Sequence, residues 1–328
     1  MTGLYDSFNR TISYLRISVT DRCNLRCIYC MPEGGVSLVR HEDILTYEEI
    51  CAVARAAAEL GITKIRLTGG EPLVRSGLPH LIRMLSKIDA IDDISLTTNG
   101  TLLSHHAAEL KSAGLKRVNV SLDTLRPERF KLITRLGDNL DEVLAGIEIA
   151  KTVGLNPVKI NMVVMAGIND DEVAEFAAKT VEEGWHVRFI ELMPVSHGST
   201  MSRHFVPASE IMKRLEALGN LVPYPSIVGN GPARYLRFPD ATGTVGFITP
   251  ISEHFCFRCN RLRLTADGKL LPCLLSQEEI DVKQALRQDM STEELKELFE
   301  EAVARKPLRH FLVQGHLPPD RPFCRAGG

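Results

Sequence analysis

The sequence predicts an α/β protein, an incomplete (β/α)6 barrel followed by a C-terminal extension. Strand-like and helix-like segments alternate up to about residue 220, which is typical of a parallel sheet covered by helices. Closing such a sheet into a barrel normally takes eight units, and we predict only six strands. Beyond residue 220 the alternation gives way to loops rich in Pro and Gly with short strands. We therefore expect two regions, residues 1–220 and 221–328.

The six strands are short runs with apolar residues at alternate positions, and helical stretches separate them. We predict strands at residues 15–19, 64–68, 94–98, 117–122, 158–164 and 186–192. We predict helices at residues 47–60, 78–88, 104–113, 140–153 and 170–182. The first helix begins with a capping box formed by Thr46 and Glu49 and ends at Gly61.

Composition indicates a cytoplasmic enzyme. The chain has 328 residues, 44% of them hydrophobic, which is enough for one large core and an elaboration. Its net charge of -2 does not indicate a nucleic-acid partner, and no apolar run has the length of a membrane span or a signal peptide. In a reducing cytosol the eight cysteines are expected as thiols or metal ligands.

Polar side chains alternate with apolar ones along five of the strands, although buried parallel strands usually read as unbroken apolar runs. Because side chains alternate between the two faces of a strand, residues such as Leu15 and Ile17 should face the helices while the polar set faces the interior. The polar set is Arg16, Ser18, Lys64, Arg66, Thr68, Ser95, Thr97, Asn99, Asn119, Ser121, Asp123, Lys159 and Asn161.

The charges of this polar set are mostly positive. Arg16, Lys64, Arg66 and Lys159 are opposed only by Asp123. Confined cations are costly unless an anion arrives, so a polyphosphate is the expected occupant. The alternative is that single residues, Lys64 in particular, reach solvent at a strand end.

Three cysteines near the N-terminus, Cys23, Cys27 and Cys30, have the spacing C-x3-C-x2-C. A protein-held [4Fe-4S] cluster normally takes four thiolates, so three leave one iron open to a small molecule. A zinc knuckle is the alternative. Zinc would need a fourth ligand nearby, and the nearest histidine is His41.

A second set of three cysteines, Cys256, Cys259 and Cys273, lies in the C-terminal region. Spacing leaves two interpretations open, a second iron-sulfur cluster or a zinc site completed by His254. Arg261 and Arg263 follow on one face of a predicted strand and suit phosphate oxygens, unless they form a solvated charged edge.

The first cysteine group, with Tyr29 inside it and the string TGGEP at residues 68–72, resembles the radical S-adenosylmethionine superfamily. Nearly the whole chain is similar to one family within it, the GTP 3′,8-cyclases of molybdenum cofactor biosynthesis. The strings that carry this likeness are CMPEGG, IRLTGGEPLVR, SLTTNG, VNVSLDTL, GIND, IELMP, CNRLRL and the final GG.

This resemblance implies a radical S-adenosylmethionine barrel whose C-terminal extension carries a second cluster. The implied cofactors are two [4Fe-4S] clusters and S-adenosyl-L-methionine. The implied metal ligands are Cys23, Cys27, Cys30, Cys256, Cys259 and Cys273. The implied contacts of S-adenosylmethionine are Tyr29, Gly70, Ser121 and Met193. The implied nucleotide-binding residues are Arg16, Lys64, Arg66, Thr97, Lys159, Arg261, Leu262 and Arg263. The implied catalytic residues are Arg261, Arg263 and the tail residues Gly327 and Gly328.

The implied activity is conversion of GTP to (8S)-3′,8-cyclo-7,8-dihydroguanosine 5′-triphosphate, after a 5′-deoxyadenosyl radical takes the hydrogen from C3′ of the ribose. The implied partners are GTP, an electron donor protein, a second copy of the chain in a homodimer, and the downstream cyclic pyranopterin monophosphate synthase. No nucleic acid or membrane partner is expected.

Two other functions fit part of the pattern. A radical peptide-modifying maturase also joins such a barrel to C-terminal cysteines, but it usually carries more of them and lacks the Asn-Arg-Leu-Arg run. An iron-sulfur redox sensor would need neither the cationic interior nor the TGGEP loop. Cys324, four residues from the end, has no role that the sequence defines.

Overall fold

The fold is built on one twelve-stranded sheet with helices along the chain between its strands. A computed structural model describes residues 3–193, 199–225, 227, 231–288, 291–310, 312 and 323–327. The strands are β1 Tyr14–Ser18, β2 Lys64–Thr68, β3 Asp93–Thr98, β4 Arg117–Ser121, β5 Lys159–Val164, β6 His186–Glu191, β7 Val222–Pro223, β8 Arg234–Arg237, β9 Thr244–Ile248, β10 Arg261–Leu264, β11 Lys269–Leu271 and β12 Ile280–Asp281.

The helices lie mainly between consecutive strands of the first half of the chain. They are α1 Tyr47–Glu59, α2 Leu78–Leu85, α3 Leu103–Ser112, α4 Pro127–Thr134, α5 Leu140–Thr152, α6 Val173–Glu182, α7 Ser199–Ser202, α8 Ala208–Glu216, α9 Val282–Arg287, α10 Thr292–Ala304 and α11 Phe323–Ala326. Within the described ranges, no helix combines the length and the apolar character needed to cross a bilayer.

The six predicted strands are all present, each within one residue of its predicted bounds, and they pair in chain order as parallel neighbours. The sheet then extends at both edges with strands from the C-terminal region. β10 pairs in parallel with β1, and β9 pairs in parallel with β6. Eight parallel strands therefore run side by side in the order β10-β1-β2-β3-β4-β5-β6-β9.

The C-terminal region also contains more helix than the loops and short strands we expected. Helix α10 has 13 residues and begins with a capping box in which Ser291 and Glu294 bond each other's backbone. It contacts α1 from the first half of the chain. This contact ties the C-terminal region to the first half of the chain.

The apolar side of the parallel sheet is the core, as the alternation predicts. Leu15 and Ile17 of β1 and Leu262 of β10 are fully buried among apolar residues. Cys51 is buried in the same core on the alanine-rich α1, and Trp185 meets Phe176 edge to face at 6.5 Å. Both side chains therefore serve to pack the core.

One buried ion pair joins the first residues of two neighbouring strands on the polar face of the sheet. Arg117 of β4 donates both ends of its guanidinium to the two carboxylate oxygens of Asp93 on β3, and both residues are buried. Asp93→Asn removes the counter-charge and leaves Arg117 buried and uncompensated. We expect the free energy of unfolding to fall by about 3–5 kcal/mol, measured by urea denaturation.

Asp89→Asn is the matched control, because it is the same substitution at an exposed position. Its effect should stay within about 0.5 kcal/mol. Equal unfolding free energies for the two variants would contradict the assigned role of the pair.

Candidate active site

A central cavity is lined by residues of both cysteine groups. Cys30 reaches it from the N-terminal group, and Cys256, Cys259 and Cys273 reach it from the C-terminal group. The two groups lie far apart in the sequence. The structure therefore brings them to one chamber.

The loop that carries the first cysteine group is held by the loop after β2. The backbone N–H of Gly70 donates to the carbonyl of Thr20 at 2.7 Å, and that of Glu71 donates to Arg22 at 2.8 Å. A Cβ on Gly70 would lie 2.3 Å from the Arg22 carbonyl oxygen. Only glycine fits this approach, so Gly70 sets the position of the backbone next to Cys23.

Glu71 connects the loop after β2 to the end of β3. This role was not predicted from the sequence. Its buried carboxylate accepts from the hydroxyl of Thr98 and the backbone N–H of Asn99, both at 2.7 Å. Burial raises the pKa of Glu71 to about 7. The amide of Asn99 in turn lies 4.0 Å from the sulfur of Cys23.

Tyr29 is fixed between the first cysteine group and the polar strand face. Its hydroxyl donates to a carboxylate oxygen of Asp123 at 2.8 Å, and the other oxygen accepts from the backbone N–H of Val163 at 2.8 Å. Burial raises the pKa of Asp123 to about 6. Tyr29, Asp123, Ser121 and Met193 all line the central cavity.

The first cysteine group is a set of half-buried free thiols. Burial is the main cause that raises the pKa of Cys23 to about 11 and that of Cys27 and Cys30 well above the ordinary value, and neighbouring thiolates add to it. Iron ions would supply the positive charge that three clustered thiolates lack. The donor set fits an iron-sulfur cluster. The nearby thiol of Cys324 also contributes electrostatically to the raised pKa of Cys23 and Cys30.

The second cysteine group has a different electrostatic setting. Burial would raise the pKa of Cys259, but the positive charges of Lys306 and Arg261 outweigh it and bring the value to about 7. A thiolate is therefore favoured here before any metal binds, which also fits a thiolate-held cluster. Within the part of the chain that the structure describes, no three His, Cys, Asp or Glu residues are arranged around a single-ion site.

Three arginines lie side by side on neighbouring strands, on the face of the sheet opposite the apolar core. We call them the arginine row. Arg263 of β10 lies opposite Arg16 of β1, and Arg16 lies opposite Arg66 of β2. All three pKa values are lowered mainly by burial and further by neighbouring guanidinium groups, those of Arg66 and Arg263 to about 10. They stay charged at neutral pH, so the cavity has an excess of positive charge that suits a polyanion.

Further cations extend this row, and one of them was missed. Lys159 is buried on β5 and Lys64 on β2 is half-buried, and neither is among the described residues that line the central cavity. Arg188 of β6 lines the cavity and donates to the side-chain oxygen of Asn119 at 2.5 Å. Extending the inward alternation to the sixth strand would have found Arg188, since it lies opposite Asn161.

The remaining predicted nucleotide-binding residues divide into two groups. Thr97 and Arg261 line the cavity, and the hydroxyl of Thr97 is buried without a hydrogen-bond partner among the described residues. A bound ligand would satisfy that hydroxyl. Leu262 directs its side chain into the core, so only its backbone is available to a ligand.

The C-terminal tail reaches the arginine row. The carbonyl oxygen of Gly327 accepts from Arg16 at 2.8 Å and from Arg263 at 3.0 Å. Gly327 has a φ of +76°, and a Cβ there would lie 2.6 Å from the methyl group of Thr68. Glycine is required at this place for both reasons. Gly328 lies outside the described residues.

The chain matches known proteins along most of its length. Residues 17–179 match the Radical SAM superfamily, and residues 185–312 match the family Molybdenum Cofactor Synthesis C. A protein of Pelotomaculum thermopropionicum named GTP 3′,8-cyclase is 56% identical over 95% of this chain and 96% of its own length. A protein of the same name from Moorella thermoacetica is 52% identical over 99% of this chain and its whole length.

Solved structures share the fold at low sequence identity. A crystal structure of SuiB from Streptococcus suis bound to S-adenosylmethionine superposes with a TM-score of 0.62 at 13% identity. The superposition covers 92% of this chain and 66% of SuiB. It shows that this chain shares the fold of that protein.

The protonation of Lys159 should report anion binding. Burial, with Arg188, Arg117 and Arg66, lowers its pKa to about 6, so in the empty cavity the amine is mostly neutral at pH 7.5. A nearby anion favours the charged form. Binding of inorganic tripolyphosphate at pH 7.5 should therefore take up about one proton per chain, measured by calorimetry in two buffers of different ionisation enthalpy.

The variant Lys159→Met should take up about one proton fewer per chain than the unmodified protein. Equal proton uptake by the two chains, with binding intact, would show that Lys159 does not change its protonation state when the anion binds.

Proposed function

The chain belongs to the GTP 3′,8-cyclase family, and on this premise we propose how its two cysteine groups and its buried cations act on GTP. It is an S-adenosylmethionine-dependent enzyme that catalyses the first step of molybdenum cofactor biosynthesis. The single observation that carries the residue-level proposal is the central cavity, where thiols of both cysteine groups and the arginine row meet.

S-adenosylmethionine and an iron-sulfur cluster are the cofactors of this superfamily, and we assign the cluster to Cys23, Cys27 and Cys30. With three protein ligands, one iron is left to bind S-adenosylmethionine, whose cleavage supplies the 5′-deoxyadenosyl radical that takes the hydrogen from C3′ of GTP. Tyr29, Gly70, Ser121 and Met193 would contact the cofactor. The fixed hydroxyl of Tyr29 and the constrained backbone at Gly70 support this assignment.

We assign a second [4Fe-4S] cluster to Cys256, Cys259 and Cys273, with the guanine base as its outer ligand. The lowered pKa of Cys259 and the three free thiols support this cluster, while His254, the zinc ligand of the alternative, lines the same cavity. A bound guanine would then lie across the cavity from S-adenosylmethionine.

The cations of the polar strand face would hold the triphosphate. Arg16, Arg66 and Arg263 form the row, and Thr97, Lys159 and Arg261 extend it, with Lys64 and the backbone of Leu262 as outer contacts. Guanidinium groups bind phosphate oxygens through paired N–H donors. Their combined work is to fix the ribose between the two cysteine groups, because positioning dominates a reaction in which no acid–base step starts the chemistry.

Several wider assignments accompany this proposal. The six strands β1–β6 with their helices form the incomplete (β/α)6 barrel, residues 221–328 form the extension that carries the second cluster, and Arg261, Arg263, Gly327 and Gly328 complete the catalytic site. We expect three partners. They are an electron donor protein, a second copy of the chain in a homodimer, and the downstream cyclic pyranopterin monophosphate synthase.

Cysteine replacement separates this function from its alternatives. Anaerobically reconstituted enzyme should hold about eight iron atoms per chain and, with dithionite, S-adenosylmethionine and GTP, form the cyclised nucleotide. Cys256→Ala should keep about four iron atoms and cleave S-adenosylmethionine without cyclising GTP. Cys23→Ala should lose both reactions. The assay is iron counting with chromatography of 5′-deoxyadenosine and nucleotide.

Cys51→Ala serves as the control, since Cys51 is buried in α1 away from either group. It should behave as the unmodified enzyme. Zinc at the second group, or a modified peptide in place of a cyclised nucleotide, would refute the residue assignments.

The tail can be tested by adding one methyl group. Gly327→Ala forces a strained φ and a clash with Thr68, which should move the carbonyl away from Arg16 and Arg263. We expect GTP cyclisation to fall at least about tenfold, while the iron content and the free energy of unfolding stay unchanged. Product formation per chain is the measurement.

Gly167→Ala is the matched control, because Gly167 also has a positive φ of +70° but open space around it. Cyclisation should be retained in this variant. If both variants lose activity equally, backbone strain rather than the tail contact is the cause.

A further inference from the structure

Lys306 is a buried lysine that lies against the second cysteine group. It follows α10 directly and is only 3% exposed. Its ammonium donates to the carbonyl oxygen of Arg261 at 2.8 Å and to that of Pro272 at 2.7 Å. Arg261 is two residues after Cys259, and Pro272 immediately precedes Cys273. One ammonium therefore ties together the two segments that carry these cysteines.

Among the described residues, no carboxylate is an ion-pair partner of Lys306. Its oxygen acceptors in the described chain are two neutral carbonyls, and it also hydrogen-bonds the side chain of Cys259. A buried ammonium is costly unless an anion lies nearby. The ammonium does interact electrostatically with the sulfur of Cys259. The negative charge that balances Lys306 is thus on the cysteine side.

Arg10 holds the backbone of the same group at Cys256. Its buried guanidinium donates to the carbonyl of Cys256 at 2.7 Å and to that of Pro307 at 2.7 Å. Asp6 pairs with it at 2.5 Å, so the charge of Arg10 is already balanced. Arg10 therefore orients Cys256 and anchors the residue after Lys306, while Lys306 brings a charge that is still available.

We propose that Lys306 is a positioning residue for the cluster on Cys256, Cys259 and Cys273, and that its charge sets the reduction potential of that cluster. The inference rests on the second cluster of the proposed function. A cage held by thiolates is anionic, and one added electron makes it more so. A fixed cation at Cys259 stabilises the reduced form more than the oxidised form, which raises the potential.

The test uses the full chain with Cys23, Cys27 and Cys30 replaced by Ala, so that iron reports only the second group. In this parent chain, Lys306→Met removes the charge and keeps most of the length of the side chain. We expect the reduction potential of the cluster in this variant to be lower by at least about 59 mV, which is a tenfold change in the equilibrium constant of a one-electron reduction. We also expect a chelator to extract its iron faster. Redox titration followed by electron paramagnetic resonance measures the first, and iron release measures the second.

Two further variants separate charge from structure. Lys306→Arg keeps the positive charge and should restore the potential to near that of the parent. Arg305→Met removes a charge from the neighbouring residue, which is exposed and pairs with Glu301 and Glu278, so its potential should match the parent. If Lys306→Met folds but holds no iron, retention of iron by Lys306→Arg supports the inference.

The outcomes distinguish this inference from the function beneath it. A parent chain that binds about four iron atoms, with equal potentials and equal iron release in Lys306→Met, would overturn the role of Lys306 and leave the second cluster standing. Loss of iron in both Lys306 variants, with the fold intact, would also overturn a role for the charge. A parent chain without iron at the second group would overturn the second cluster itself, and the inference with it.

Discussion

The excess of buried positive charge on one face of the parallel sheet is the constraint on which the rest of the structure depends. Arg263, Arg16 and Arg66 occupy adjacent places on three neighbouring strands, where their mutual repulsion opposes sheet formation. The same strands bury Leu15, Ile17 and Leu262 completely on the opposite face. Because side chains alternate along a strand, one half of each strand stabilises the sheet while the other half carries the site.

That alternation also explains how much could be predicted from the sequence. The six strands were predicted to within one residue because period-two patterning between helices is a local signal. The same pattern correctly placed Arg16, Arg66 and Thr97 on one cavity. It gave no indication that both cysteine groups reach that cavity, because their loops lie outside the strands that carry the pattern.

The features that escaped prediction depend on contacts between distant parts of the chain. β10 joins β1 although they are more than 240 residues apart in sequence, and its four residues give no local indication of a partner. Arg10 and Lys306 are isolated basic residues whose acceptors are mainly backbone carbonyls, and no sequence pattern marks a carbonyl as a partner. Only the folded chain brings them to the second cysteine group.

The tail shows how the charge can be ordered without being cancelled. A carboxylate at the arginine row would neutralise Arg16 and Arg263 and compete with a phosphate for their donors. The carbonyl of Gly327 accepts one hydrogen bond from each instead. A neutral dipole orients the two guanidinium groups but leaves their net charge available. The arginine row is therefore preorganised, and the cavity keeps its attraction for a polyanion. Only a neutral backbone carbonyl can do both. The residue that carries this carbonyl must be glycine, because a Cβ would clash with Thr68.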